Sequence, residues 1–189
     1  MPASSRREFL KRAGAAALAL AFVPRALAED LIHLQRAELV KRQDAYHLIG
    51  GFVVKLNSAL EEALQRGVKL SFLQQFEADR PRDFWFAEDI AIQRRSVRLS
   101  YHALLRYYQI EVDDSQTPYD RLEDALRALG DFRDWRVIEA RVLERKHVYR
   151  GRVRMQLDTT QLAKPLQVNA VISSRWEIDS GWHAWPFKP

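Results

Sequence analysis

This sequence predicts a mainly β fold, an antiparallel β-sandwich-like single domain with two short α-helices, and three observations carry the prediction. Apolar residues recur at period two in several short runs. Neighbouring runs are separated by hairpin-length polar turns. Strands and helices do not alternate regularly, as a doubly wound parallel sheet would require.

Leu31 to Val40 and Ala45 to Leu56 are rich in β-formers, and Lys41-Arg42-Gln43-Asp44 between them reads as a polar turn. In the second run Tyr46, Leu48, Phe52, Val54 and Leu56 mark one face, while Ile49 and Val53 put apolar groups on the other. A central strand covered on both sides is expected there. Gly50-Gly51 interrupts it and predicts a bulge. Ser58 followed by Glu61 has capping-box spacing, and Ala59 to Gln65 are good helix formers that stop at Gly67. Val68, Leu70, Phe72 and Phe76 then alternate with Lys69, Ser71 and Gln75 in a strand ending before Arg80-Pro81. A loop through Phe84-Trp85-Phe86 follows.

Ile90 to Tyr101 reads as a strand with Val97, Leu99 and Tyr101 on one face, and Leu104 to Val112 as its hairpin partner. Thr117 as cap, Pro118 at the first helical position and Gly130 beyond the end bracket a second helix. Leu122, Ala125, Leu126 and Leu129 form its apolar stripe. Trp135 to Leu143 is a further strand. Tyr149 to Leu157 is a clearer one, since Tyr149, Gly151, Val153, Met155 and Leu157 alternate with Arg150, Arg152, Arg154 and Gln156. After Pro165, strands are expected at Val168 to Ile172 and Trp182 to Phe187, for an order of roughly ββαβββαβββ.

The first residues carry an address. Ser5-Arg6-Arg7-Glu8-Phe9-Leu10-Lys11 resembles a twin-arginine export signal, with Arg6 and Arg7 as its motif. An uncharged run from Ala13 to Val23 follows, then Arg25 and Ala26-Leu27-Ala28, the small-x-small pattern that signal peptidase cuts. Cleavage is expected between Ala28 and Glu29, leaving one domain over 29–189 and placing the protein in the periplasm. The run is about half the length of a bilayer-spanning helix, so no stable transmembrane span is expected. The expected partner in transport is the twin-arginine export machinery.

The chain's net charge of +5 belongs mostly to this segment. Removing it leaves 25 basic against 24 acidic residues, a balance of +1, and with it goes the usual argument from a basic protein to nucleic acid or anionic lipid. There is no cysteine, so stability comes from apolar burial and backbone pairing, and thiolate chemistry is excluded.

Leu60-Glu61-Glu62-Ala63-Leu64-Gln65-Arg66-Gly67-Val68, Arg80-Pro81-Arg82, Arg98-Leu99-Ser100-Tyr101-His102-Ala103-Leu104 and Lys164-Pro165-Leu166-Gln167-Val168-Asn169-Ala170 occur in this order. On these stretches the chain, from about Leu56 to its C-terminus, is similar to the bacterial domain of unknown function numbered 4390. The resemblance implies a small envelope protein with an N-terminal hydrophobic signal or anchor, often encoded near a two-component sensor kinase. It implies no activity. A twin-arginine motif stands here where a general secretory signal or anchor is more usual.

Ser100-Tyr101-His102 sets a hydroxyl near a base, but adjacent strand residues point to opposite faces, and His102 at a hairpin turn reads as a turn or packing residue. His33, His47, His102, His147 and His183 stand singly, without metal-ligand spacing, so neither metal nor cofactor is expected. Arg150, Arg152 and Arg154 line one strand face and could grip a polyanion. With so little net charge, pairing with carboxylates on a neighbouring strand is the stronger expectation, and no nucleic-acid partner is inferred. Arg94, Arg95 and Arg98 would join them only on a shared surface. Phe84-Trp85-Phe86, among Arg80, Arg82, Asp83, Glu88 and Asp89, is the most suggestive loop. Exposed aromatics there would mark contact with an envelope protein or a glycan, and packing over the end of the sandwich explains them equally well. Trp176, Trp182, Trp185 and Phe187 are expected in the core.

The expected function is therefore a non-enzymatic exported binding or accessory module. The alternatives are an exported hydrolase or cofactor protein whose site is assembled only in the fold, marked by a pocket lined by His102 with an acid partner, and a regulator of a membrane sensor kinase.

Overall fold

The computed structural model describes residues 31–82, 87–162, 164, 167 and 173–189. Arg6, Arg7, Ala28, Glu29, Phe84, Trp85, Phe86 and the strand expected over Val168 to Ile172 lie outside these. The first hairpin pairs β1 (Ile32–Arg42) with β2 (Ala45–Val54) across a two-residue turn that Gln43 enters at φ 51°. A later strand, β7 (Trp135–Glu139), adds to the free side of β2 to give the sheet order β1-β2-β7, so β2 is the central strand its apolar residues predicted. The bulge lies at the glycine pair but on the partner: the register slips between Leu34 and Arg36, opposite Phe52 and Gly51.

The second sheet contains β3 (Leu70–Arg80), β4 (Glu88–His102), β5 (Tyr107–Val112), β6 (Ser115–Tyr119), β8 (Tyr149–Leu157) and β9 (His183–Phe187). Its order is β6-β5-β4-β3-β8-β9, and every pairing in both sheets is antiparallel. Leu48 and Phe52 of β2, Phe72 and Phe76 of β3, Val97 and Leu99 of β4, and Val153 and Met155 of β8 are buried in one cluster. The result is the antiparallel, sandwich-like single domain that the period-two runs predicted, with the two helices α1 and α2 among the described residues. Burying these side chains, at about 1.5–3 kcal/mol each, is the main force joining the sheets.

The helices differ from expectation in detail. α1 (Ser58–Gln65) is capped by Asn57, whose Oδ1 accepts from the Leu60 amide at 3.0 Å, rather than by Ser58. It ends before Gly67, which takes φ 84°. α2 (Leu122–Gly130) starts later than the Thr117-Pro118 signature indicated, and Gly130 is its last residue rather than the one beyond it. Thr117 and Pro118 belong instead to β6. A two-residue turn with Asp113 at φ 49° sends the chain straight back along β5, and an edge strand tolerates a proline that has no amide to donate. The strand expected to Leu143 stops at Glu139 and continues as a 3₁₀ turn.

Tyr149, Gly151, Val153, Met155 and Leu157 all face the core, as their alternation required. Trp182 does not. It is 38% exposed and stacks on the outer face of the second sheet, under the guanidinium groups of Arg152 at 4.9 Å and Arg154 at 5.9 Å.

Candidate functional site

An open groove of about 1060 Å³ lies between β2 and α2. It exists because the end of α2 docks on bare backbone. A Cβ on Gly130 would lie 2.0 Å from the Phe52 carbonyl oxygen, and one on Gly50, which takes φ 128°, would lie 2.1 Å from that of Arg36. With no side chains between them, the Phe132 amide reaches the Gly50 carbonyl at 2.8 Å, and Gly51 pairs with Asp131.

The same helix end is gripped from the other sheet. Gln74 of β3, fully buried, donates from Nε2 to the Leu129 carbonyl at 2.8 Å and accepts from Arg95 Nε at 2.7 Å. Arg95 also donates to the Asp131 carbonyl at 2.8 Å and lies 4.6 Å over the Trp135 ring. Burial pulls its guanidinium below the ordinary value, against the pull of Asp113 and Asp131. Two side chains from the second sheet thus complete the carbonyls of a helix terminus belonging to the first.

The groove follows β2 from Gly50 through Lys55, roughly 20 Å of strand. Phe52, Val54, Leu126 and Ala128 supply apolar lining. On the rim, Arg36 pairs with Glu38, Arg127 with Asp124, and Arg133 with Asp131. The remaining acid of the lining, Glu123, faces Arg121. Histidine, serine and threonine do not occur among the lining residues, and each lining carboxylate pairs with an arginine. Such a surface can grip an extended chain; it presents no base beside a nucleophile.

His102 lies elsewhere, at the end of β4. It is exposed, stacked on Tyr107 at 4.7 Å, with Nε2 at 3.0 Å from Gln109 Oε1, and among the described residues no carboxylate pairs with it. The five histidines do not assemble: among the described residues no three His, Cys, Asp or Glu could share a metal ion.

Arg150, Arg152 and Arg154 each bind a carboxylate. Arg150 forks onto Asp79 Oδ2 at 2.9 and 3.1 Å, Arg152 pairs with Glu77, and Arg154 with Asp179. Arg98 pairs with Glu111 on the same outer face, whereas Arg95 faces inward. The face therefore alternates in sign across β8, β3 and β4 and forms no unbroken cationic patch. Asp79 is 4% exposed, and its second oxygen, Oδ1, has no partner.

Sequence reasoning missed the groove, because Gly50, Gly51 and Gly130 read as a bulge and a helix stop rather than as one packing contact. It also placed Leu104 and Leu105 in a strand. They form the β4–β5 turn, 98% and 71% exposed. Two leucines together at a turn, where Gly, Asn or Asp would serve, were the available signal.

No curated relative and no solved structure matches the chain. A family model does, over residues 29–186, and it spans both sheets, both helices and the groove. The chain belongs to the family described as Domain of unknown function (DUF4390).

Proposed function

We propose that this chain is an exported, non-enzymatic binding module of the cell envelope, and that the groove between β2 and α2 holds an extended segment of an envelope protein. The observation that carries this reading is the character of the lining: a floor along five residues of β2, Gly50 to Val54, with no charged side chain, flanked by charges already paired with one another. Export is supported by the twin-arginine-like segment and by the start of the family match at Glu29, the residue after the expected cleavage.

A photo-crosslinking residue placed at Gln35 or Val53 in cells tests it. A discrete envelope-protein adduct is expected from both positions, lost when Leu126→Arg fills the groove and not formed from Asp114. Absence of any adduct from either groove position would sink the reading.

A further inference from the structure

We propose that the β4–β5 hairpin tip is a lipid-insertion element that docks this domain on an anionic phospholipid bilayer, a site separate from the groove. The hairpin overshoots its neighbour β3 and, by one residue pair, its neighbour β6. The first residue of β3, Leu70, pairs with Leu99, and β4 runs on through His102 before turning, roughly 10 Å further. Arg106, at φ 54°, closes the turn by donating its amide to the His102 carbonyl at 2.7 Å. Leu104 and Leu105 at the apex lie outside the core cluster, the first almost wholly and the second mostly in water. Exposed apolar side chains that do nothing for the fold are a feature of contact surfaces.

Three properties of the tip favour a bilayer over a protein pocket. Its two leucines stand out in solvent at a turn, which suits insertion into fluid hydrocarbon. Behind the leucines sit aromatic pairs, His102 on Tyr107 and Tyr101 against Tyr108 at 4.8 Å, the amphipathic layer that settles at headgroup depth. From Val97 to Ile110 there is no carboxylate, and Arg106 and nearby Lys69 have no ion-pair partner among the described residues, leaving two cations free for lipid phosphates. The near-neutral charge of residues 29–189 conceals this, because several of their carboxylates pair with other arginines.

The cysteine-free chain permits a local test. An environment-sensitive fluorophore is attached to full-length Leu105→Cys and, as a control at the opposite end of the hairpin, Asp114→Cys. Vesicles of phosphatidylglycerol and phosphatidylethanolamine carry nitroxide-labelled acyl chains. The label at 105 is expected to shift to the blue and be quenched, with the label at 114 unchanged. Adding Leu104→Ser to the labelled Leu105→Cys chain should lower partition about tenfold or more, since burying a leucine is worth at least that factor. Replacing phosphatidylglycerol with phosphatidylcholine should cost about thirtyfold for two cations. All these substitutions are at exposed turns, and an unchanged urea midpoint verifies folding. A label at 105 that stays in water overturns the proposal, as does equal quenching at 114. A signal that appears only with envelope protein, and not with lipid, assigns the tip to a protein partner instead.

Discussion

Gln74 Nε2 donates to the carbonyl oxygen of Leu129 at 2.8 Å, so a strand of one sheet completes the helix end that packs on the other. Replacing Gln74 with Met keeps the volume but leaves the Leu129 carbonyl and a donor of Arg95 buried without partners. A loss of about 2 kcal/mol in urea unfolding is expected. A change within ~0.5 kcal/mol would show that water or rearrangement replaces the contact.

The two close backbone contacts predict a graded glycine series. Gly130→Ala and Gly50→Ala place a methyl about 2 Å from a carbonyl oxygen and should each cost about 3 kcal/mol or more, with loss of cooperative thermal unfolding. Gly67→Ala meets nothing within 4 Å and suffers only from its positive φ, so about 1 kcal/mol is expected. Equal effects at the three positions would contradict this account of the groove.

Acid sensitivity should concentrate at Asp179. Its hydrogen bond to Arg154 holds the carboxyl below its ordinary value of 3.8, opposed by partial burial and helped by the Gly181 amide. A depressed folded value means the stabilisation is complete above 3.8 and is lost as pH falls through the lower folded value. Asp179→Asn should therefore cost about 1 kcal/mol at neutral pH, after allowance for a pair partly open to solvent, and reduce the loss of stability below pH ~4. Unfolding curves at pH 7 and pH 3 for both chains decide it.

The cross-strand pair of Arg152 and Glu77 should be cooperative. A double-mutant cycle with Arg152→Gln and Glu77→Gln is expected to give a coupling energy of about 1 kcal/mol, little altered by salt because Glu77 is largely covered. A coupling indistinguishable from zero would reduce the outer face to solvated charges.

The proposed export rests on the first residues. Substituting Lys for Arg6 and Arg7 together should leave the chain in the cytoplasm when cell fractions are probed, while either single substitution slows delivery. Unchanged periplasmic delivery would assign it to another route.

The strands were legible wherever one face met the core and the other met water. Tyr149–Leu157 is the case in point, since its boundaries follow from alternation alone. Thr117-Pro118 misled because the signature of a helix start is local, whereas the edge strand it joined depends on a turn at Asp113 and a partner, β5, earlier in the chain. Trp182 misled because a large ring suggests burial, yet two arginines already tethered to carboxylates offered it a platform at the surface. The groove was hidden for a related reason: no pattern within β2 or α2 reveals that Gly50 and Gly130 are kept small by backbone from distant residues.

Sheet order has a kinetic consequence. Ala45 pairs with Glu139 and Tyr149 with Phe187, so the first sheet waits for β7 and the second is complete only when nearly the whole domain has been synthesised. Such distant pairings place refolding in the millisecond-to-second range typical of β-sandwiches, and the β1–β2 hairpin must wait through translation with both apolar faces of β2 uncovered.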